Sequence, residues 1–235
     1  MADRPYTVLS ASMSIDGYLD AGPGSRLLLS NAADLERVDG VRASCDAILV
    51  GAATIRNDDP RLLVRSEAHR DARVSRGLSP TPVKVTVTAE ADLDPRASFF
   101  SAGDVDKLVY CASAAVPAAR QRLGEVAAVI DAGQPVDLRW LAGDLHERGV
   151  RRLMVEGGGR VHTQFLADDL ADELQLVVAP FFVGDGRARR FVGSGAFPWC
   201  PSRRARLAEV RQIDDVALLR YALSPRFDPD RVEKW

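Results

Sequence analysis

A strand pattern that breaks into three glycines and resumes as a helix pattern constrains this chain most. It runs from Leu153 to Leu166 with the sequence LMVEGGGRVHTQFL. Gly157, Gly158 and Gly159 have no Cβ, so their backbone can turn sharply and its N–H groups can approach a ligand oxygen closely. The helix that follows begins with N–H groups that lack intrahelical partners, and its dipole is positive at that end. The run therefore predicts a strand-to-helix turn that can hold a diphosphate.

Three adjacent glycines are by themselves a weak signal. They match neither the spaced glycines of the dinucleotide-binding fingerprint nor the P-loop, which needs a Lys-Ser or Lys-Thr pair after its last glycine. A flexible turn without any ligand is the plain alternative. Other segments of the chain have to decide between the two.

Length and composition bound the class of protein. With 235 residues, 46% hydrophobic and 27% charged, we expect one α/β domain over residues 1–235, with a polar tail from about residue 225. A formal charge of −2 gives no electrostatic basis for binding nucleic acid or an anionic membrane. No apolar run is long enough to cross a bilayer and the N-terminus has no signal-peptide core, which favours a cytoplasmic protein.

The cysteines and histidines form no metal-binding or disulfide pattern. Cys45, Cys111 and Cys200 are odd in number, far apart and without CxxC spacing, and the three histidines are equally scattered. The HxE and PCxxC elements of zinc-dependent nucleobase deaminases are also missing. We therefore expect neither a metal site nor a deaminase domain.

Hydrophobic periodicity predicts strands that alternate with helices. The predicted strands are Thr7–Met13, Ala47–Val50, Val83–Val87, Lys107–Cys111, Val126–Ile130, Arg152–Val155 and Glu173–Ala179. The predicted helices run from a cap at Asn31 to about Ser44, from near Pro117, from Asp137 to Arg148, and over Val161–Asp168.

The remaining segments predict a long surface connection over Arg65–Pro82 and an antiparallel hairpin within Ala205–Leu223, which turns at Asp214 and Asp215. Strand–helix–strand units force neighbouring strands to be parallel. The expected fold class is therefore α/β, with a mostly parallel mixed sheet, helices on both sides and the hairpin at one edge.

Two further motifs accompany the glycine run. Gly51–Arg65 (GAATIRNDDPRLLVR) leaves the apolar strand DAILVG at its carboxyl end, where open α/β sheets bind ligands, and Met13–Gly17 is MSIDG. With VEGGG, these motifs resemble in order and separation the pyrimidine reductase family of riboflavin biosynthesis, which includes the C-terminal half of the bacterial RibD enzymes. The resemblance extends from about residue 7 to residue 222.

The resemblance implies a fold, a reaction and an assembly. The fold would be the three-layer α/β/α fold of dihydrofolate reductase, and the protein would be a homodimer. The reaction would use NADPH to reduce the ribosylamino side chain of a phosphoribosyl-pyrimidine, either 5-amino-6-(5-phosphoribosylamino)uracil or its 2,5-diamino pyrimidinone equivalent. The hydride goes to C1′ of the ring-opened imine, so the protein supplies orientation, exclusion of water and electrostatic support.

The resemblance also assigns residues to the cofactor and the substrate. Family cofactor contacts correspond to Met13, Thr54, Asp58, Gly158, Gly159, Arg160, Val161, His162, Thr163 and Gln164. Family substrate contacts correspond to Ser25, Arg42, Leu62, Arg65 and Glu156, and the candidate catalytic residues are Glu156 and Asp58. The chemistry agrees, because arginine offers a planar fork of donors to a phosphate and a carboxylate accepts from ring N–H or amine groups.

Several of these residues have an interpretation that involves no ligand. Arg42, Arg65 and Glu156 could be exposed to solvent, as most charged residues are. Thr54 could cap a short helix that follows the glycine of the preceding strand. Each alternative predicts a different environment for the side chain.

Five more positions have alternative interpretations. Asp58 and Asp59 could form an Asx turn, and Asp16 could either contact a ligand or form a turn. His162 is expected to contribute a backbone N–H rather than to act as a base. Arg160 could bind the 2′-phosphate of the cofactor, bind its diphosphate, or face solvent.

Three positions depart from the family pattern. Ser10 stands where the bacterial enzymes usually have lysine, Leu27 where they have tryptophan, and Ala89 where a serine often contacts the cofactor. The missing lysine removes a strong positive charge near the substrate. The alternatives are therefore a reductase of the same fold for another pyrimidine, a pteridine such as dihydrofolate or a specialised metabolite, and a non-catalytic nucleotide-binding protein.

Overall fold

The computed structural model describes residues 3–22 and 27–228. Within these residues the elements, in chain order, are β1 (Tyr6–Ser14), α1 (Ala32–Ser44), β2 (Ala47–Gly51), α2 (Ala52–Asp58), α3 (Glu67–Val74), β3 (Val83–Thr88), α4 (Ser98–Ser101), β4 (Lys107–Cys111), α5 (Val116–Leu123), β5 (Ala128–Asp131), α6 (Leu138–Glu147), β6 (Arg152–Gly157), α7 (Gly159–Ala167), β7 (Glu173–Ala179), β8 (Arg206–Ile213) and β9 (Val216–Ala222). Among these helices, none is long and apolar enough to cross a membrane.

The strands form a mixed sheet in the order β5-β4-β3-β2-β6-β1-β7-β9-β8. The pairs β1–β7, β2–β3, β3–β4 and β4–β5 are parallel, whereas β7–β9 and β8–β9 are antiparallel. The predicted α/β class, the mostly parallel sheet and the C-terminal hairpin at its edge are confirmed.

The described residues divide into two compact units. One of them includes Asp39–Met154. All five residues of its strand β2 are buried, as expected for an apolar run that is covered on both faces. The chain leaves β2 at Gly51 and enters α2 directly, so the carboxyl end of a buried strand leads into the segment that carries the predicted ligand residues.

The other unit includes Tyr6–Val38 and the described part of the chain from Val155 onward. It contains a buried polar network, in which Arg220 donates two hydrogen bonds to Glu173 at 2.8 and 2.9 Å and Tyr6 donates one to the same carboxylate at 3.0 Å. These bonds compensate charges that burial would otherwise make costly.

Local capping confirms two predicted helix starts. The side chain of Asn31 accepts a hydrogen bond from the Asp34 N–H at 2.9 Å, which caps α1. Asp137 accepts from two N–H groups in the first turn of α6, and Gly149, with a φ of +93°, follows the end of that helix. The predicted limits of these two helices are therefore within a residue or two of the observed ones.

The predicted surface connection over Arg65–Pro82 is wrong in part, because Glu67–Val74 forms α3. The Ser66 side chain caps this helix, and the buried Arg73 donates to the carbonyls of Ala43, Cys45 and Ser79. A helix that packs through an arginine lacks the apolar periodicity on which the prediction relied.

Three boundaries also move. The fifth strand begins at Ala128 rather than at Val126, because the N–H groups of Val126 and Ala127 bond to the carbonyl of Leu123 and extend the end of α5. At the glycine run, β6 continues to Gly157 and α7 begins at Gly159, two residues before the predicted start. The strand-to-helix turn is therefore shorter than expected.

Candidate active site

The glycine turn joins β6 to α7 with a single residue, Gly158, between them. Gly157 has a φ of +122°, which side-chain-bearing residues rarely adopt, and the peptide bond to Gly158 is cis. A Cβ on Gly159 would lie 2.3 Å from the carbonyl oxygen of Arg190. Gly158 itself is extended, with a φ of −75° and a ψ of −174°, a conformation open to any residue. Gly157 and Gly159 are thus required for different reasons, whereas the backbone conformation of Gly158 does not require a glycine.

The first turn of α7 presents the N–H groups of Gly159, Arg160 and Val161, which have no intrahelical acceptor. The next N–H, that of His162, donates to the carbonyl of Gly158 at 3.1 Å. It is therefore engaged within the helix, contrary to the expectation that it contributes to ligand binding. Among the neighbouring predicted residues, Arg160 and Gln164 are exposed, whereas Val161 is buried.

The ring of His162 lies beneath this turn. It is buried, with its Nε2 3.4 Å from the carbonyl oxygen of Val155 and its centroid 5.2 Å from that of Phe191. Burial lowers its pKa to about 4, although the bond to Val155 and the nearby charge of Glu156 act in the opposite direction. A neutral buried ring agrees with the expectation that His162 is not a catalytic base.

Two other predicted residues of this unit lie on strands. Glu156 is half-buried between Val155 and Gly157 and comes one residue before the end of β6. Met13 is half-buried near the end of β1, where it pairs in register with Val178 of β7. Glu156 is therefore not an ordinary solvent-exposed charge.

Asp16 lies in a turn, and its carboxylate also binds the backbone of a second segment of the chain. Its carboxylate accepts hydrogen bonds from the Ser14 hydroxyl at 2.5 Å and from the N–H groups of Val183 and Gly184 at 3.0 and 2.8 Å. Burial would raise the pKa of Asp16, but these bonds prevail and lower it to about 2. All of these partners belong to the protein, which favours the turn interpretation over ligand contact.

In the other unit, α2 carries Thr54 and Asp58. Gly51 is the N-cap of this seven-residue helix and Thr54 lies within its first turn, so the interpretation of Thr54 as a cap is wrong. Asp58 is exposed at the last helical position. Asp59 follows with a φ of +41°. Its carboxylate accepts from the N–H and hydroxyl of Ser98, the first residue of α4, at 2.6 and 2.8 Å, rather than forming an Asx turn.

The loop that carries Leu62 and Arg65 is held in place by side chains on two helices. Arg42 is half-buried on α1 and donates to the Leu63 carbonyl at 3.2 Å, so it is not simply solvated. From α3, Arg70 donates to the carbonyls of Arg65 and, at 3.3 Å, Val64. Leu62 has a φ of +49° and its side chain is buried, which leaves its backbone for any ligand contact.

Asp39 on α1 fixes the same loop and was not predicted. Its buried carboxylate accepts from the N–H groups of Arg65 and Ser66 at 2.7 and 2.9 Å and contacts the His69 ring at 3.1 Å. Burial would raise the pKa of Asp39, but these bonds lower it. The available signal was its spacing, because Asp39 lies three residues before Arg42 and therefore on the same face of α1.

The side chain of Arg65 has a different environment from its backbone. It is exposed and forms no ion pair with any residue in the described ranges. The backbone of Arg65 is therefore fixed while its guanidinium stays available to an anion. This arrangement is suited to a phosphate, which arginine binds through two parallel N–H donors.

The structure gives no site contact for the remaining positions that the sequence analysis named. Ser25 lies outside the described residues. Ser10, one of the three departures from the family pattern, is buried in β1, while Leu27 is half-buried and Ala89 is exposed.

Known proteins resemble this chain over most of its length. Residues 5–219 match the family model of the RibD C-terminal domain. The 2,5-diamino-6-ribosylamino-4(3H)-pyrimidinone 5′-phosphate reductase of Methanothermobacter thermautotrophicus is 33% identical over 94% of this chain and 99% of its own. The protein of the same name from Archaeoglobus fulgidus is 36% identical over 77% of this chain and 83% of its own.

Solved structures share the fold. A pyrimidine reductase-like protein from Corynebacterium diphtheriae has a TM-score of 0.78 at 23% identity and covers 93% of this chain and 91% of its own. The riboflavin biosynthesis reductase Rib7 of Saccharomyces cerevisiae has a TM-score of 0.69 at 17% identity, with coverages of 94% and 90%. These similarities confirm the expected dihydrofolate-reductase-like fold of the pyrimidine reductases. Together with the family model and the archaeal relatives, they show that this chain belongs to the RibD C-terminal domain family.

Proposed function

We propose that this chain is an NADPH-dependent oxidoreductase of riboflavin biosynthesis. It reduces the ribosylamino side chain of 2,5-diamino-6-ribosylamino-4(3H)-pyrimidinone 5′-phosphate to a ribitylamino side chain. Two relatives that bear the name of this reductase, at 33% and 36% identity, support the choice of substrate. The observation that carries the proposal is the glycine turn of Gly157–Gly159, which opens α7 with unpartnered N–H groups.

The residues at the glycine turn fit the diphosphate of a dinucleotide. The N–H groups of Gly159, Arg160 and Val161 and the positive end of the α7 dipole favour an anion, and the exposed Arg160 adds a positive charge beside them. When bound, NADPH supplies the hydride that reduces C1′ of the ring-opened sugar. The protein's own contribution at this turn is to bind and orient.

Arg65 and Glu156 are each proposed to contact the substrate. The guanidinium of Arg65 would hold the 5′-phosphate, for which its fixed backbone and its lack of a described ion partner are suited. Glu156 would accept hydrogen bonds from N–H or amine groups of the pyrimidine. Arg42 and the backbone of Leu62 would assist through the loop that precedes Arg65.

Asp58 is proposed to contact the cofactor. A carboxylate at the C-terminal end of a helix is disfavoured by the helix dipole, so helix stability does not explain its position at the end of α2. It could accept a hydrogen bond from a ribose hydroxyl. Thr54, one turn earlier on the same helix, and Met13 on β1 are the other proposed contacts outside α7.

The test follows NADPH oxidation by the purified chain with the pyrimidinone phosphate. We expect Arg65→Ala to raise the KM for the substrate about a hundredfold and to leave the KM for NADPH within about twofold, because a bidentate charged contact to phosphate is lost. Arg187→Ala is the matched control, since Arg187 is exposed and paired with Asp185. With the dephosphorylated substrate, Arg65→Ala should change little. Protein that binds NADPH but never oxidises it with this compound would contradict the proposal.

The same assay distinguishes the proposed substrate from the substrates of other reductases with this fold. The uracil equivalent, named in a Thermotoga maritima structure of the same fold, differs at one ring substituent, so turnover of both compounds is compared directly. Dihydrofolate carries carboxylates in place of a phosphate, and the guanidinium of Arg65 could bind either anion, so the assay itself decides. Oxidation of NADPH with dihydrofolate but not with the phosphorylated pyrimidines would favour that alternative, and complementation of a strain lacking the reductase would exclude a non-catalytic role.

We also propose that the protein is a homodimer that pairs through β8. This strand is the last in the sheet order, and Leu207 and Val210 on it are 49% and 62% exposed. Antiparallel pairing of two copies about Val210 would place Glu209 opposite Arg211 of the second copy. Val210→Lys should therefore give a monomer in sedimentation, and a persistent dimer would contradict this interface. The cytoplasmic location and the single reductase domain over residues 1–235 stay predictions.

A further inference from the structure

A segment without regular secondary structure lies across the first turn of α7. We call the residues Arg189–Gly195 the strap. Its carbonyl oxygen at Arg190 approaches Gly159 so closely that no Cβ fits there, and its Phe191 ring packs on His162. The strap therefore contacts the first helical turn, which we propose to bind the dinucleotide, at its first residue and at His162.

The strap is itself fixed to the turn after β1. The N–H of Phe191 donates to the Gly17 carbonyl at 3.0 Å, and the N–H of Leu19 donates to the Arg189 carbonyl at 2.7 Å. The carboxylate of Asp20 accepts from the N–H of Arg189 at 2.9 Å. The strap is thus a rigid partner for α7 rather than a free loop.

One hydroxyl connects the strap to the helix. Thr163 Oγ1 donates to the carbonyl oxygen of Gly159 at 2.6 Å and accepts from the N–H of Gly193 at 2.8 Å. A hydroxyl has a single hydrogen to donate, and here the Gly159 carbonyl takes it. The side chain of Thr163 is therefore engaged within the protein and has no hydrogen left for a phosphate.

We propose that Thr163 is a positioning residue for the dinucleotide and not a direct contact. Its hydroxyl couples the strap to Gly159, and so sets the direction of the N–H groups of Gly159, Arg160 and Val161. The inference rests on the proposed function, because it assumes that these N–H groups bind the diphosphate. It differs from the expectation drawn from the family resemblance, which counted Thr163 among the residues that contact the cofactor.

The diphosphate is common to NADPH and NADH, whereas only NADPH carries the 2′-phosphate. A positioning role therefore predicts that loss of the hydroxyl weakens both dinucleotides by the same factor. A direct contact to the 2′-phosphate predicts a loss for NADPH alone. The comparison of the two cofactors therefore separates a positioning role from a contact to the 2′-phosphate. A contact to the diphosphate is disfavoured because the single hydroxyl hydrogen of Thr163 is donated to Gly159.

The experiment measures the dissociation constants of NADPH and NADH by titration calorimetry with the full chain. Thr163→Val, which keeps the shape and removes the hydroxyl, should weaken both about tenfold, as expected for one lost hydrogen bond on each side. Thr163→Ser should restore both to within about twofold of wild type. Thr86→Val is the matched control, because the Thr86 hydroxyl is buried without a partner in the described structure and its removal should leave both affinities unchanged.

Kinetics gives a second readout. In Thr163→Val the KM for NADPH should rise about tenfold while kcat at saturating NADPH changes by less than about threefold, because the hydroxyl does not touch reacting atoms. If the valine variant does not fold, Thr163→Cys, which keeps a weaker donor, should show a smaller equal loss for both dinucleotides. A loss confined to NADPH, affinities equal to wild type, or failure of serine to restore binding would each overturn the inference.

The outcome is distinguishable from that of the proposed function. Wild-type protein that binds dinucleotides but does not reduce the pyrimidine phosphate would contradict the proposed reaction and leave the role of Thr163 standing. Equal dinucleotide affinities of wild type and Thr163→Val, with normal turnover in both, would contradict the role of Thr163 and leave the proposed reaction standing.

Discussion

The carboxylate of Asp39 holds the backbone of Arg65, whose N–H it binds at 2.7 Å, and it also binds the neighbouring N–H of Ser66 at 2.9 Å. Asp39→Asn would turn one acceptor oxygen into a donor that faces an N–H group. We expect the free energy of unfolding to fall by about 2 kcal/mol and the KM for the pyrimidine phosphate to rise about tenfold, since Arg65 moves. Urea unfolding and steady-state kinetics measure the two effects.

The exposed Asp71 on α3 provides the control, because Asp71→Asn should leave the unfolding free energy and both KM values near wild type. An Asp39→Asn variant whose KM rises for NADPH, rather than for the pyrimidine phosphate, would contradict the role that we assign to Asp39.

The same carboxylate predicts a dependence of stability on pH. Because hydrogen bonds hold the pKa of Asp39 below its ordinary value of 3.8, its contribution is present above the pKa of the unfolded chain and is lost as pH falls through the folded value. The difference in unfolding free energy between wild type and Asp39→Asn should therefore shrink below about pH 4. A difference that stays constant down to about pH 2 would show that the charge of Asp39 is not the cause.

Lys84 predicts a slope of the same sign at alkaline pH. Its side chain is fully buried in β3, its Nζ donates to the carbonyls of Phe99, at 3.0 Å, and Ala102, and burial, with a smaller effect of Lys107, lowers its pKa to about 8. Between this value and the ordinary 10.5 the folded chain releases the proton while the unfolded chain keeps it. Stability should therefore rise with pH over that window, relative to Lys84→Met.

Urea unfolding at several pH values from about 7 to about 10 measures this slope. Lys107→Met, which removes a more exposed lysine at the start of β4, should keep most of it. Parallel curves for wild type and Lys84→Met would show that Lys84 does not lose its proton in the folded protein.

Two threonines of β3 should respond oppositely to the same substitution. The Thr86 hydroxyl is buried and has no partner in the described structure, whereas that of Thr88 accepts from the Ala91 N–H at 3.0 Å. Thr86→Val should raise the free energy of unfolding by about 1 kcal/mol, because an unsatisfied polar group is removed from the interior. Thr88→Val should lower it by about the same amount. Denaturant titration decides, and a less stable Thr86→Val would indicate a bond that the hydroxyl makes to buried water.

Buried strands were the elements best predicted from the sequence. The strands β4 and β7 were predicted with their observed limits. Each is an apolar run between polar or small residues, because a buried strand consists mainly of apolar residues. The helix α3 was missed since its packing depends on Arg73, a cation that periodicity scores as exposed. The four residues of α4 were missed as well, and α2 was considered only as a short helix that Thr54 could cap, because so few residues do not let a helical period emerge.

Part of the candidate site could also be predicted from the sequence and part could not. The glycine turn could be predicted, because a missing Cβ is visible in the sequence. The strap could not, because Arg189–Gly195 has no period of its own and contacts α7 through scattered interactions, such as the hydrogen bond from Gly193 to Thr163 and the packing of Phe191 on His162. Asp39 was also missed, since a buried carboxylate that binds two backbone N–H groups looks like any other aspartate on a helix.

Among the three glycines, Gly158 gives a test of ligand binding that backbone strain does not obscure. A side chain at Gly157 would require a φ of +122°, and one at Gly159 would collide with the carbonyl of Arg190. Both changes would disturb the fold whether or not a ligand binds. Gly158 has a φ of −75°, which does not require a glycine, so a side chain there reports on the ligand.

The affinity of Gly158→Val for NADPH therefore tests the central claim most directly. If the N–H groups of the first turn of α7 bind the diphosphate, the valine side chain keeps the dinucleotide away from them. We expect affinity measured by calorimetry to fall at least about a hundredfold, a change of nearly 3 kcal/mol, while the unfolding temperature stays within a few degrees of wild type. A folded Gly158→Val variant that binds NADPH as tightly as wild type would contradict the account.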